Sequence, residues 1–286
     1  MARVEMFART EVGNVRERNE DNFLVVNLGL ESPSGLQPDQ RSKEIDGRGT
    51  LIAVCDGMGG AAAGDVASEL AVEQLRATME SSSPFPDANA AQAAMLQAHA
   101  NANRAISAYA KANPTRQGMG TTMTAALVFG PEIHVSHIGD SRAYLVRGRS
   151  IQQLTTDHSV VGQMIASGQL TPQQAREFEH RNVLLQALGV QQVISPEICV
   201  TELRGGDVLL VCSDGLTGPL TDEQVLQIML RYQDPVRACR ALTEAACAAG
   251  GPDNVTVAVA RFLGEDLPAP RGREPITVRR ASYTVE

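Results

Sequence analysis

The 286-residue sequence predicts an α+β fold, and two observations support this class. Short apolar runs separated by turn residues form a series of hairpin-linked strands in the middle of the chain. Helical patterns lie in pairs before and after this series, not between its strands. Parallel sheets need a crossover between successive strands, whereas hairpin-linked strands pair in antiparallel fashion. We therefore expect an antiparallel α+β protein without internal repeats.

The N-terminal part of the chain contains strand signals followed by two helical patterns. Three apolar runs predict strands, at residues 4–10, 23–28 and 51–55. Residues 30–48 are rich in Ser, Pro, Gln, Asp and Gly, which predicts an exposed loop. Spaced apolar residues predict a helix from Gly64 to Met79. Asp87 can cap a second, alanine-rich helix that ends at Asn113-Pro114, since the residue before a proline disfavours helix.

The second half begins with the strand series and ends with helices and strands. Strands are predicted at residues 121–129, 133–138, 143–147, 151–154, 197–203, 207–213 and 255–262. Residues 159–182 are predicted to be helical, with Thr171-Pro172 as a helix start. Two further helices are predicted at 221–231 and 234–249. Residues 264–286 contain three Pro, several Arg and little apolar periodicity, so we expect a single domain over 1–263 and a tail outside the fold.

Composition limits the possible functions. Hydrophobic residues make up 43% of the chain but Trp is absent, so the core must be mainly aliphatic. A net charge of −8 without a basic run argues against binding to nucleic acid or to anionic membranes. The five cysteines lack close paired spacing, which favours reduced thiols over disulfides or a zinc site. We find no signal peptide and no run long enough to span a bilayer, and expect a cytoplasmic protein.

Acidic residues stand at the ends of four apolar strands in widely separated parts of the chain. The four clusters are Asn19-Glu20-Asp21, Asp56-Gly57, Asp214-Gly215 and Asp253-Asn254. A carboxylate at a buried strand end is costly unless something neutralises it, so the four clusters indicate one strongly cationic site. Oxygen ligands favour a hard cation, Mg²⁺ or Mn²⁺. Several carboxylates around one pocket favour two ions over one.

The order of the motifs resembles the metal-dependent Ser/Thr protein phosphatases of the PP2C or PPM family. The matching segments are Arg16-Glu17-Arg18-Asn19-Glu20-Asp21, Asp56-Gly57-Met58-Gly59-Gly60, Gly118-Met119-Gly120-Thr121-Thr122, Gly139-Asp140-Ser141-Arg142, Ser213-Asp214-Gly215 and Gly251-Pro252-Asp253-Asn254. Together they cover roughly residues 5–262. The Asp-Gly-Met-Gly-Gly form and Thr156-Asp157-His158-Ser159 are similar to the bacterial branch of the family.

The resemblance implies a fold, an activity and partners. The fold would be a central sandwich of two antiparallel β-sheets with helices on both outer faces. The activity would be hydrolysis of phosphoserine and phosphothreonine by water activated at a centre of two Mn²⁺ or Mg²⁺ ions, with a weaker third ion as an open alternative. Substrates would be phosphorylated proteins, including a Ser/Thr kinase, and the enzyme would oppose bacterial Ser/Thr kinases. No nucleic-acid or membrane partner is expected.

The resemblance also assigns ligands to the two metals. Asp56 would contact both ions, and Gly57 after it lets the backbone approach them closely. Asp214 and Asp253 would hold the first ion. The alternative for any single Asp-Gly pair is an ordinary turn acid, because this dipeptide is common in turns.

The second ion would be held by Glu20 and the Gly57 carbonyl, with Asp21 acting through water. Asp140 would hold the third ion together with Asp214. The alternative for Asp140 is a turn acid bonded to Ser141 or Arg142, and the sequence leaves both interpretations open.

Arg16 is the candidate for binding and orienting the phosphoryl group. A guanidinium can donate to two phosphoryl oxygens at once. The alternative is a surface arginine, since Arg18 beside it shows that arginine is tolerated in this segment. The register of the family motif favours Arg16, and together with Asp56 it forms the predicted catalytic pair.

Two positions depart from animal relatives. Met58 stands where many of them carry a histidine proposed as the general acid, and Gly218 stands where they carry another acid near the third metal. His158, at the start of the segment 159–190 that corresponds to the bacterial flap, is an alternative proton donor. Two other functions stay open: a phosphatase-like binding module without turnover, and a two-metal nuclease, against which the negative charge argues.

Overall fold

The computed structural model describes residues 2–28, 42–45, 48–59, 63–270 and 274–285. The strands are β1 Arg3–Glu11, β2 Asn22–Asn27, β3 Ser42–Glu44, β4 Thr50–Cys55, β5 Gly57–Met58, β6 Gly120–Thr121, β7 Met123–Phe129, β8 Glu132–Ile138, β9 Arg142–Arg147, β10 Ser150–Gln153, β11 Glu197–Glu202, β12 Val208–Cys212, β13 Val255–Leu263 and β14 Arg279–Ser282. The helices are α1 Gly64–Ser82, α2 Ala88–Ala112, α3 Val160–Ala166, α4 Pro172–Arg176, α5 Asp214–Thr217, α6 Asp222–Arg231 and α7 Pro235–Ala248.

Two six-stranded sheets form the centre of the fold. The first has the order β10-β9-β12-β13-β1-β3 and the second the order β14-β11-β8-β7-β4-β2. Neighbouring strands are antiparallel in both sheets. The short strands β5 and β6 pair separately above the second sheet. The predicted α+β sandwich of antiparallel sheets is therefore confirmed.

Side chains alternate between two apolar layers along the central strands. In β4, Ile52 and Val54 point into the core between the sheets, while Leu51 and Ala53 point outward under the helices. A period of two is expected wherever both faces of a strand are covered. The predicted aliphatic core is confirmed, and Tyr144 and Phe262 are the largest fully buried side chains.

Each outer sheet face is covered by a pair of helices. Helices α1 and α2 lie on the second sheet through alanine and large aliphatic residues such as Leu75 and Met95. Helices α6 and α7 lie on the first sheet, where Val225 and Leu242 pack against Leu210 and Val257. This arrangement gives the four layers, helix, sheet, sheet and helix, that the resemblance implies.

The predicted helix starts are present. Asp87 accepts a hydrogen bond from the Ala90 amide at 2.8 Å and so caps α2. Thr171 precedes Pro172 and forms a capping box with Gln174 at the start of α4. The helical prediction for 159–182 was too long, because only α3 and α4 are helical within it.

The C-terminal segment differs from the prediction. We expected residues 264–286 outside the fold, but β14 pairs with β11 at the edge of the second sheet. Leu267 and Ile276 are also buried against the core between the sheets. Local composition did not reveal this packing, because an edge strand depends on a distant partner and needs little apolar periodicity of its own.

The predicted loop at 30–48 lies largely outside the described residues, as does Gly60. Its described part contains β3, which pairs with the start of β1 and was not predicted. Four of the five cysteines are buried free thiols, and Cys247 is a partly buried free thiol. None of the helices in the described ranges is both long enough and apolar enough to cross a membrane.

Candidate metal centre

The acidic strand ends meet at one edge of the sandwich. In the antiparallel pair of β2 and β4, Asn22 is opposite Cys55, so Asp21 and Asp56 both lie just beyond the same end. Asp214 follows β12 of the other sheet after one residue, Ser213, and Asp253 precedes the neighbouring strand β13. These ends enclose a cavity of about 520 Å³, lined by seven of the predicted residues: Arg16, Glu20, Asp56, Gly57, Asp140, Asp214 and Asp253.

Asp56 is held in place through its backbone. Its amide donates to Thr122 Oγ1 at 2.9 Å, and its carbonyl accepts from the Thr121 hydroxyl at 2.8 Å. Gly57 also lines the cavity, and a Cβ atom there would lie 2.1 Å from the Gly64 carbonyl oxygen and 2.6 Å from that of Glu20. Only glycine therefore allows the backbone at position 57 to pack this closely against the backbones of Gly64 and Glu20.

Asp21 lies behind the cavity, not in its lining. Its carboxylate is 9% exposed and accepts a hydrogen bond from Ser213 Oγ at 2.7 Å. The same serine oxygen accepts from the Thr256 amide at 3.0 Å. This chain of hydrogen bonds fixes the Asp21 side chain between the two sheets, next to the strand end that leads into Asp214.

The segment that carries Arg16 and Glu20 is anchored by Asn254. The Asn254 side-chain amide donates to the carbonyls of Val12 and Arg18, and its oxygen accepts from the Glu20 amide at 2.9 Å. Sequence reasoning gave Asn254 no role beyond its place in a motif. A polar amide directly after Asp253, at the start of a buried strand, was the available signal.

The carboxylates raise one another's pKa. Burial, followed by repulsion from Asp21, Asp214 and other acids, raises the pKa of Asp56 well above its ordinary value. Burial and repulsion from Asp214 do the same for Asp140, and burial and repulsion from Asp253 raise the pKa of Asp214. The side chains are only half-buried because they face the cavity, but protein surrounds their other sides. The ionised carboxylates therefore repel one another, and a bound cation would favour their charged form.

Arg16 lies at the rim and bonds to one of these acids. Its guanidinium donates to Asp253 Oδ2 at 2.7 Å, and 54% of the side chain is exposed. The hydrogen bond to Asp253, more than any other interaction, raises the pKa of Arg16. Arg16 is thus a fixed cation at the mouth of an acidic cavity, and its exposed remainder can receive an anion.

The side chains of the two neighbours of Asp140 have other hydrogen-bond partners. The Arg142 guanidinium donates to both oxygens of Asp157, at 2.6 to 3.0 Å. The Ser141 hydroxyl bonds with Thr122 Oγ1 at 2.7 Å. Both neighbours are engaged elsewhere, and Asp140 points into the cavity.

His158 packs behind Asp140. Its Nδ1 lies 3.4 Å from the Gly139 amide nitrogen, and its ring centroid lies 4.8 Å from that of His137. Burial lowers its pKa. The cavity lining contains Met58 together with Asn182 and Leu184 from the flap segment. Sequence reasoning missed Asn182 and Leu184, because nothing in the local sequence shows where an irregular segment lies.

The donors suit a hard divalent cation. The cavity lining offers carboxylate oxygens and the backbone of Gly57. Oxygen-only sets of this kind favour Mg²⁺ or Mn²⁺ over zinc or copper. In the part of the chain that the structure describes, no three His, Cys, Asp or Glu side chains lie close enough together, as they stand, to hold one metal ion. Asp253 and Asp21 are bonded to Arg16 and Ser213 instead.

We expect the thermal stability of the metal-free protein to depend on the protonation of Asp21, and therefore on pH. Burial raises the pKa of Asp21 from 3.8 to about 7. Between these two pKa values the Asp21 carboxyl stays protonated in the folded state but is ionised in the unfolded chain. Raising the pH through this range therefore favours unfolding. We expect the melting temperature in EDTA to fall by several degrees from pH about 4.5 to about 7.5. Thermal unfolding followed by circular dichroism measures this shift.

Asp21→Asn is the control for this pH dependence, because it removes one of the carboxyl groups with a raised pKa and should make the fall in melting temperature smaller. Saturating Mn²⁺ should also reduce the fall, since a cation favours the ionised carboxylates. A melting temperature that rises over the same pH interval in EDTA would contradict the assignment.

Comparison with known proteins places this arrangement in a family context. The family model of protein phosphatase 2C matches residues 37–247. The Ser/Thr phosphatase stp of Listeria monocytogenes is 32% identical over 249 residues, covering 87% of this chain and 92% of that protein. A crystal structure of the catalytic domain of PstP with two manganese ions superimposes with a TM-score of 0.76 at 34% identity. That alignment covers 92% of this chain and 100% of the solved chain.

Full-length PstP is much longer than the matching region. The Ser/Thr phosphatase PstP of Mycobacterium tuberculosis is 37% identical over 243 residues, or 85% of this chain. The chain spans 46% of the length of that relative. The likeness is therefore to the part of PstP that aligns with this chain.

Proposed function

Because the chain belongs to the protein phosphatase 2C family, we propose that it is a metal-dependent protein phosphatase acting on phosphoserine and phosphothreonine. The observation that carries the proposal is the meeting of carboxylates from both sheets around one cavity, with Arg16 at its mouth. The intact acidic set also favours an enzyme over a binding module without turnover, which would have no need of all these charges.

Two cations are proposed for the cavity, Mn²⁺ or Mg²⁺. When bound, they would lower the pKa of a water molecule and neutralise the phosphoryl oxygens. Asp56 is assigned to both ions, Asp214 and Asp253 to the first, and Glu20 with the Gly57 carbonyl to the second. The presence of two manganese ions in the PstP structure supports this assignment.

Asp21 and Asp140 are not assigned as direct ligands of the first two ions. Asp21 lies behind the lining and is bonded to Ser213, which suits contact through water. Asp140 is proposed for a weaker third ion shared with Asp214. The engagement of Ser141 and Arg142 by other partners supports this role, because Asp140 is left facing the cavity.

The chain itself supplies orientation of the substrate. The Arg16 fork can donate to two phosphoryl oxygens and turn the phosphorus toward Asp56. Asn254 and Thr122 hold the two backbones that carry these side chains. Since Met58 cannot donate a proton, we propose that the leaving alkoxide takes its proton from water in the cavity.

The physiological substrates are proposed to be phosphorylated proteins, among them a Ser/Thr kinase whose action this enzyme would oppose. The proposal rests on the names of the relatives, which are Ser/Thr protein phosphatases. A cavity of about 520 Å³ that is lined also by the flap residues Asn182 and Leu184 can admit the phosphorylated side chain of a protein.

An assay with two substrates tests the proposed function. Purified protein is titrated with Mn²⁺ or Mg²⁺ against p-nitrophenyl phosphate and against a phosphothreonine peptide, with Asp214→Asn as the inactive control. We expect metal-dependent release of phosphate from both substrates by the unaltered protein alone. Failure to hydrolyse either substrate at any metal concentration would overturn the proposal.

Arg16→Ala should raise KM by about tenfold and lower kcat less, because the guanidinium binds the phosphoryl group in ground and transition states alike. Arg18→Ala is the matched control, since it removes the same charge from the same segment at the same cavity wall. We expect KM to change less than about twofold in that variant. A large loss of kcat at unchanged KM would show that Arg16 acts mainly in the transition state.

A further inference from the structure

The C-terminal strand β14 connects an edge of the second sheet to the end of the flap segment. Its four residues pair with β11, and all four are exposed. Beyond the strand, the Val285 amide and carbonyl exchange hydrogen bonds with Ile194 at 3.0 and 3.1 Å. Ile194 lies between β11 and the flap residues that line the cavity. Strand β14 therefore holds the point where the flap segment rejoins the sheet.

Ser282 is the last residue of β14, and Arg279 and Arg280 precede it by three and two positions. Paired basic residues at this distance are a recognition pattern for arginine-directed Ser/Thr kinases, whose acidic pockets bind them. Such a short pattern occurs often by chance. The register of the strand gives a second and independent observation.

Ser282 is directly opposite Glu197 in the antiparallel pair, so both side chains lie on the same face. Glu197 is 8% exposed and accepts a hydrogen bond from Thr156 Oγ1 at 3.2 Å. Arg280, on the same face, donates to the carbonyls of Leu154 and Gln153, and its Nε lies 4.0 Å from the Glu197 carboxylate. Ser282 thus lies beside the carboxylate of Glu197 and beside Arg280, whose guanidinium already has hydrogen-bond partners.

We propose that Ser282 is a phosphorylation site and that its phosphate releases β14 from β11 and from Ile194. A Ser/Thr kinase would transfer the γ-phosphoryl group of ATP to Ser282 Oγ. The new oxygen–phosphorus bond forms as the γ-phosphorus separates from the bridging β–γ oxygen. ADP leaves, and the hydroxyl proton passes to the catalytic base of the kinase.

Two effects of the phosphate would weaken the attachment of β14 to β11. A group with a charge of about −1.5 to −2 placed opposite Glu197 adds like-charge repulsion across the strand pair. The phosphate also competes for Arg280, which would then leave the carbonyls of Leu154 and Gln153. Because β14 is a four-residue edge strand, it can open without unfolding the rest of the sheet.

The test uses the full chain and a purified arginine-directed kinase, the catalytic subunit of cAMP-dependent protein kinase. ATPγS serves as the phosphoryl donor, since thiophosphate resists removal by a phosphatase. Mass spectrometry locates the modification, and hydrogen exchange follows the backbone of residues 194–199 and 279–285. Ser282→Ala, treated in parallel, is the control. A free peptide of residues 276–286 shows that the kinase accepts the sequence.

We expect one thiophosphate at Ser282, absent from Ser282→Ala, and exchange about tenfold faster in both segments of the modified chain. Two results would overturn the proposal. One is a chain that stays unmodified at Ser282 while the peptide is modified. The other is a modified chain whose exchange in both segments is unchanged. Neither result depends on the proposed phosphatase activity, so a failure here is separable from a failure there.

Discussion

Asp56→Asn is expected to lower kcat by at least about a thousandfold while the fold stays intact. Asp56 is the carboxylate that the proposed function assigns to both cations, and its backbone is fixed by Thr121 and Thr122. The amide keeps the shape of the side chain but removes the charge. Steady-state kinetics on p-nitrophenyl phosphate with saturating Mn²⁺ measure the loss, and circular dichroism checks the fold.

The variant should also bind Mn²⁺ more weakly, which calorimetry can measure without turnover. Asp234→Asn is the matched control, because it makes the same chemical change at an exposed helix cap that asparagine fills equally well. We expect near-normal kinetics in this control. Turnover by Asp56→Asn within tenfold of the unaltered protein would refute the role assigned to Asp56.

Removal of divalent metal should lower the activity to less than about one hundredth, because the proposed cations would activate the attacking water and neutralise the phosphoryl oxygens. Exhaustive dialysis against EDTA followed by metal-free assay tests this. Activity should return on addition of Mn²⁺ or Mg²⁺. Mn²⁺ should also raise the melting temperature of the unaltered protein, since a cation that binds only the folded state stabilises it.

EDTA saturated with Mn²⁺ before addition is the control for effects of the chelator itself, and should leave the activity unchanged. The rise in melting temperature should be smaller in Asp56→Asn, in which one shared ligand is weakened. Full activity after exhaustive removal of metal would contradict both the two-cation assignment and the proposed chemistry.

Periodicity and caps predicted most helices and strands because they act locally, whereas the four layers were implied by the family resemblance. The alternation in β4 and the caps at Asp87 and Thr171 depend on residues within a few positions, and the structure has all of them. Strands β3 and β14 were missed because each is short and is defined by a partner far away in the chain. Local pattern carries no information on such pairing.

The candidate site, like the fold, was predictable from the sequence only in part. Strand ends predicted that the carboxylates would meet, since antiparallel neighbours bring such ends to one edge. The residues that orient them were not predictable, because Ser213 bonds to Asp21 across 192 positions and Asn254 to Glu20 across 234. The flap residues Asn182 and Leu184 were missed for the same reason.

The ion pair between Arg16 and Asp253 couples the binding of the cation to the binding of the substrate. In this conformation the carboxylate proposed for a cation is bonded to the guanidinium proposed for the substrate. A cation that takes Asp253 would displace Arg16 and free its donors for a phosphoryl group. Binding linkage is reciprocal, so phosphate would in turn tighten the cation. The supply of manganese or magnesium would then set the affinity of the enzyme for its substrates, and not only the fraction of molecules that are active.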